Sequence, residues 1–167
     1  VKYLRYFKES INSDRFNPSN IKNIIVKYLE TALWLAPDDE SEKDNFENMT
    51  IYNFSKEAYQ QAENEIKWFL DVAGNAIERS NLNDQAVGFY LWLTRNGHGS
   101  GFWDHSYNNK EDEEELCYLS KILGECWIYI GDDNKIYFEG SDKYKKFDIQ
   151  KYKEERELQK NANKYNL

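Results

Sequence analysis

The 167-residue chain has few cysteines, prolines, histidines and methionines (two, two, two and one), and no long apolar run. Cys117 and Cys126 lie on an expected helix and its exit, too far apart along a helix for an easy disulfide. The chain is therefore no disulfide scaffold, and both thiols read as reduced and buried. No stretch approaches the roughly 20 apolar residues that span a bilayer, and "VKYLRYFKES" lacks the apolar region of a secretory leader. The expectation is a cytoplasmic protein with no membrane partner. No internal repeat, low-complexity tract or linker divides the sequence, so its length fits one domain with one core.

Aromatic and charged residues are plentiful, at 16% and 31%, which excludes a disordered chain. The formal charge of −8 is unevenly spread. Residues 36–80 and 81–140 each carry four Lys/Arg against eleven Asp/Glu, whereas both ends are basic. A central body of that sign repels phosphate backbones, which argues against direct nucleic-acid binding by it and leaves another protein as the expected partner. Thirteen tyrosines and five tryptophans exceed what one core of this size hides. Binding surfaces use such residues, although an AT-rich genome would also raise Tyr, Asn, Lys and Ile.

Three helices are legible. In "SNIKNIIVKYLETALWLAPDD", Ile21, Ile24, Ile25, Tyr28, Leu29, Ala32 and Leu33 recur at helical spacing behind a Ser19 or Asn20 cap, and Pro37 stops the run. Ser55 can cap a second helix with Ala58, Tyr59, Ala62, Ile66, Phe69, Leu70, Ala73 and Ile77 as its stripe. The third begins in "KEDEEE", whose carboxylates suit the positive end of a helix dipole, and continues through Leu116, Leu119, Ile122 and Leu123. "CWIYIGDDNKIYFEG" alternates on either side of "GDDN" and reads as a hairpin, with Ile128 and Ile130 on one face and Trp127 and Tyr129 on the other. "FYLWLTRN" and "GFWDHS" flank "GHGS" and read as a second hairpin. The expected fold is a single α+β domain over residues 1–147, with three to four helices on a mostly antiparallel sheet of about four strands. A charged, helical, weakly anchored tail follows over 148–167.

The segment "WLTRNGHGSGFWDH", Trp92 to His105, concentrates both histidines, three of the eight glycines and two of the five tryptophans. The plain reading is a tight turn with Trp92, Phe102 and Trp103 packed below it, at least one of Gly97, Gly99 and Gly101 having positive φ. A reactive reading uses His98 as a base or ligand, Asp104 to orient it and Arg95 to bind an anion. The segment has neither the Lys and Ser/Thr of a phosphate-binding loop nor the helix-borne HExxH of zinc proteases. His98, Asp104, His105 and Cys117 lack paired ligand spacing, so neither a metal nor another cofactor is implied.

"ALW" before an acidic pair (Ala32, Leu33, Trp34, then Asp38 and Asp39), "FYLWLTRNGHGSGFWDHSY" and "IYIGDDNKIYFE" occur in that order. The arrangement resembles a group of small bacteriophage-encoded proteins marked by "FWLTRNGHGAGFWDR" and a following "DLYVGDDGKIY" hairpin. The resemblance spans roughly residues 25 to 139. The chain departs from the pattern in "LAP" before the acids, in Ser100 for Ala and in His105 for Arg. The resemblance implies a phage or prophage origin and a shared fold, and it carries over no catalytic residue. Three functions stand open. One is an accessory protein in the host cytoplasm that binds and modulates a host protein, such as a nucleic-acid-binding defence enzyme in the manner of an anti-CRISPR inhibitor. Its expected contacts are Asp38, Asp39, Glu40, Glu42, Glu113, Glu114 and Glu115, mostly exposed, with Trp103. Another is a small hydrolase centred on His98 and Asp104, with Arg95. The third is a virion assembly component.

Overall fold

In a computed structural model, the described residues are 18–36, 45–140 and 142–165. They form five α-helices and one β-hairpin in the order α1 (Pro18–Trp34), α2 (Lys56–Arg79), α3 (Asp84–Arg95), α4 (Lys110–Leu123), β1 (Cys126–Ile130), β2 (Ile136–Gly140) and α5 (Ile149–Lys164). The expected sheet of about four strands is replaced by a two-stranded antiparallel one, and the domain is mostly helical. Short 3₁₀ turns at Ile51–Asn53, Phe102–Asp104 and Lys143–Lys146 fill the connections.

Most helix starts carry side-chain caps that satisfy otherwise unpaired N–H groups. Ser55 accepts from Ala58 N–H at 3.0 Å, Asn83 from Ala86 N–H at 2.8 Å, Asn109 from Glu111 N–H at 3.0 Å and Asp148 from Lys151 N–H at 2.9 Å. Helix α1 opens at Pro18, whose fixed φ suits a first helical turn. The acids Glu111, Asp112 and Glu113 sit in the first turn of α4, where the dipole favours them.

The second expected hairpin is where the sequence reading fails. Residues 89–95 belong to α3, and Phe102–Asp104 is a 3₁₀ turn. A short apolar run such as "FYLWL" fits a strand or a buried helix equally well, and three features decide for the helix. Asn83 caps it. Gly88 sits against α1, where an added Cβ would lie 2.5 Å from the Ile24 carbonyl oxygen, so the two helices approach backbone to backbone. Asn96-Gly97 then closes the helix instead of turning a hairpin. Gly97 has φ +65°, its N–H donates to Thr94 O at 3.3 Å, and His98 N–H donates to Leu93 O at 3.1 Å. That pair of bonds around a left-handed glycine is the Schellman ending of a helix.

The β1–β2 hairpin pairs Trp127 with Glu139, Ile128 with Phe138, Tyr129 with Tyr137 and Ile130 with Ile136. Its turn is Gly131–Asn134, with Asn134 in the left-handed region. Cys126, Ile128 and Ile136 are buried, whereas Trp127 and Tyr129 face outward, as strand alternation requires. Phe138 meets the rings of Tyr28 at 6.3 Å and Trp92 at 5.8 Å, and Tyr28 meets Trp92 edge-on at 5.0 Å. The hairpin is thus a lid on the α1/α3 end of a helical core that continues through Ile66, Phe69, Leu91, Phe102, Leu116 and Leu119. Beyond Asp148, residues Ile149–Lys164 form α5.

Candidate functional site

In the segment from Thr94 to His105, most polar side chains tie parts of the fold together. Arg95 is buried, with no exposed side-chain surface. Its guanidinium donates to the Tyr28 hydroxyl of α1 and pairs with Glu65 of α2, also fully buried. It also donates to the carbonyls of Gly124 at 2.7 Å and Leu123 at 3.2 Å, at the C-terminal end of α4. Burial opposes the arginine's charge, yet the Tyr28 and Glu65 oxygens outweigh it and hold the guanidinium more firmly protonated than in water. Burial pushes the Tyr28 phenol well above its ordinary value, so it stays neutral. Arg95 therefore stands inside the core and is not placed to bind an external anion.

Its neighbours act similarly. Thr94 Oγ1 accepts Phe102 N–H at 2.9 Å, which brings the chain back over the end of α3. Asn96 accepts Cys126 N–H at 2.8 Å and donates to Trp92 O at 3.1 Å. Gly101, although extended in φ, leaves no room for a side chain, since a Cβ would lie 2.6 Å from Thr94 Oγ1 and 2.8 Å from the Trp103 ring. The Asp104 carboxylate accepts from the Ser100 hydroxyl and from Gly101 N–H at 3.0 Å, and these bonds hold its pKa below the usual carboxylate range. His105 is hydrogen-bonded through Nε2 to Ser80 O at 2.8 Å, just past α2.

His98 differs. Its ring makes no hydrogen bond to another described residue, Asp104 included. It is half-exposed and borders a cavity of about 210 Å³ with Ala32, Ala36, Trp92, Cys126 and Trp127. His98 and Asp104 are thus brought to one turn without being joined. Trp103 is partly open, at 38% exposure. Among the described residues, no three His, Cys, Asp or Glu side chains converge on a common centre, and no helix is long and apolar enough to cross a membrane.

The acidic candidates divide. Asp38, Asp39, Glu40 and Glu42 lie outside the described residues. On α4, Glu114 is exposed and Glu113 half-buried, whereas Glu115, one of the acids expected to be mostly exposed, keeps only 10% of its side-chain surface. Glu115 pairs with Arg156 of α5 at 2.6 Å, lies 3.8 Å from Arg79 and accepts from the Tyr152 hydroxyl at 3.1 Å. Asp112 beside it is buried against Arg79. Asp71 of α2 lies 3.6 Å from Lys153 of α5, and the rings of Tyr118 and Tyr152 stack at 6.1 Å. An acidic and aromatic seam between α2 and α4 therefore holds a basic helix of the same chain.

Sequence reasoning missed both Glu65 and this seam. Glu65 falls in phase with Ala58, Ala62 and Phe69 on the buried stripe of α2, and a carboxylate at such a place signals a buried cation. On α5, Ile149, Tyr152 and Arg156 recur at three and four residues, a weak stripe that marks its docking face. Comparison with protein-family models, curated proteins and solved structures finds no match for the chain.

Proposed function

We propose that this chain acts by binding another protein, as a phage or prophage accessory factor whose acidic surface engages the basic groove of a nucleic-acid-binding host protein. One observation supports this above others: the α2/α4 seam uses Glu115 and Asp71 to hold arginine, lysine and tyrosine side chains of α5. Such groups also line grooves that bind nucleic-acid backbones. The net charge of −8 favours encounter with a basic surface and makes the association sensitive to salt. The hydrolase reading uses Asp104 to orient His98 as a base and Arg95 to bind an anion. Arg95 and Asp104 are engaged within the fold, and that leaves His98 without either helper.

The test is recovery of partners from a bacterial lysate, followed by binding of the purified pair at low and high salt, with and without competing DNA or RNA. A nucleic-acid-binding partner released by both salt and nucleic acid is the expected outcome. Affinity indifferent to both removes the charge-mimicking reading.

A further inference from the structure

Helix α5 is held differently from the other four. It contains no fully buried residue, and Leu158 is 69% exposed. Its attachment includes Arg156 and Tyr152 on Glu115, Lys153 near Asp71, the Tyr118–Tyr152 stack, the partly buried Ile149 against the core, and the lead-in rings Tyr144 and Phe147. Those two rings pack on Trp68 of α2 at 5.5 and 5.7 Å. Both buried side-chain donors that lack an acceptor among the described residues fall in this region: Trp68 Nε1 and Arg156 Nε. Trp68 is only 7% exposed, and a buried N–H without an acceptor weakens the packing around it. The seam is well supplied with charge and aromatic surface, yet its own occupant leaves donors unmet.

From this we infer that α5 is a displaceable occupant of the α2/α4 seam. The chain's protein partner takes the same place with a basic segment that presents an arginine and an aromatic residue one helical turn apart. The inference rests on the binding reading above and adds the site and its regulation. Tyr152 and Arg156, four residues apart, reach one carboxylate, Glu115, so the recognition chemistry is visible in the intramolecular complex. While α5 is docked, only the fraction of molecules with an open seam can bind, and apparent affinity is reduced by that fraction. Salt or a stronger basic ligand opens the seam, whereas the Arg95 core stays shut because it is dry.

The experiment uses the full chain and a fluorescent synthetic peptide of residues 148–165 as the probe. Tyr152→Ala with Arg156→Ala loosens α5 and leaves the seam intact. If these substitutions raise the open fraction tenfold, the peptide binds about tenfold more tightly than to the unaltered chain. Adding Glu115→Gln then abolishes the gain. In hydrogen exchange, α5 amides of the unaltered chain exchange much faster than those of α2 and α4, and faster still in high salt. Circular dichroism verifies folding, and Lys153→Ala is the gentler second variant, expected to give a smaller gain. Equal peptide binding by loosened and unaltered chains overturns the inference. So does exchange of α5 as slow as that of α2, or global unfolding of both the double variant and Lys153→Ala. A basic partner bound equally by unaltered and loosened chains keeps the binding reading and removes the latch. Peptide binding without any basic partner in lysate does the reverse.

Discussion

Asn96 accepts the backbone N–H of Cys126 at 2.8 Å, so the residue that ends α3 also fixes the first residue of β1. The same asparagine donates to Trp92 O, which leaves little freedom in how the hairpin lies over the helices. The "TRN" of the motif thereby assigns each residue a different segment to hold: Thr94 the return loop, Arg95 three helices and Asn96 the hairpin.

Removing the Arg95 side chain is expected to be severe. Arg95→Ala leaves Glu65 charged and dry, at a cost of about 3–5 kcal/mol. A double replacement, Arg95→Met with Glu65→Leu, removes both charges and costs less than either Arg95→Ala or Glu65→Ala alone. Urea denaturation of the three variants checks the order, and equal losses in all would show that packing, not charge, dominates.

The three glycines of the turn separate by mechanism. Gly97→Ala is strained at φ +65° and loses about 1 kcal/mol or more. Gly101→Ala meets Thr94 and the Trp103 ring and costs at least as much. Gly99 has open space around it and no positive φ, so Gly99→Ala is neutral or slightly stabilising. Thermal melts that rank the three otherwise would refute this assignment.

Thr94→Val and Asn96→Ala each deprive a buried backbone N–H, of Phe102 and Cys126 respectively, of its acceptor. Each loses about 1–3 kcal/mol. Thr94→Ser retains the hydroxyl and recovers most of the loss, as chemical denaturation can measure.

The thiols make a pH prediction. Burial pushes the Cys126 thiol up to about 12 and raises Cys117 less. A raised folded-state pKa means that the thiol's contribution is fully present below its unfolded value. It is lost as pH rises toward 12, because the unfolded chain ionises first. Compared with Cys126→Ala, the natural chain therefore loses more stability across that alkaline window. At neutral pH a thiol reagent labels Cys117 slowly and Cys126 only on unfolding; rapid native labelling of Cys126 would contradict the burial.

Although the layered sheet was not legible, several local elements were, because local chemistry agreed with them: the Ser55 cap, the acid-first α4, the alternating hairpin with its "GDDN" turn and a positive φ at Gly97. The failure at 89–96 has a long-range cause. Asn-Gly supplies a left-handed residue, which a hairpin turn and a helix ending both need, and the distinction came from Gly88 meeting α1, a contact 64 residues from Ile24 in sequence. The candidate site was less legible for the same reason. Arg95 and Asp104 are the residue types of a reactive centre, and only the positions of Tyr28, Glu65, Ser100 and Gly101 show them engaged within the fold. The α5 seam joins residues about 40 apart, Glu115 to Arg156, beyond the reach of periodicity.

The Arg95 cluster also bears on the time course of folding. Its bonds reach across 67 residues to Tyr28, 30 to Glu65 and 29 to Gly124, so the guanidinium can be dehydrated only after three helices have converged around it. Contacts that complete last contribute little to the rate-limiting barrier for folding and much to the barrier for escape. In stopped-flow experiments, Arg95 variants are therefore expected to refold at nearly the natural rate and unfold far faster. The lifetime of the native state, more than its speed of formation, depends on this one arginine.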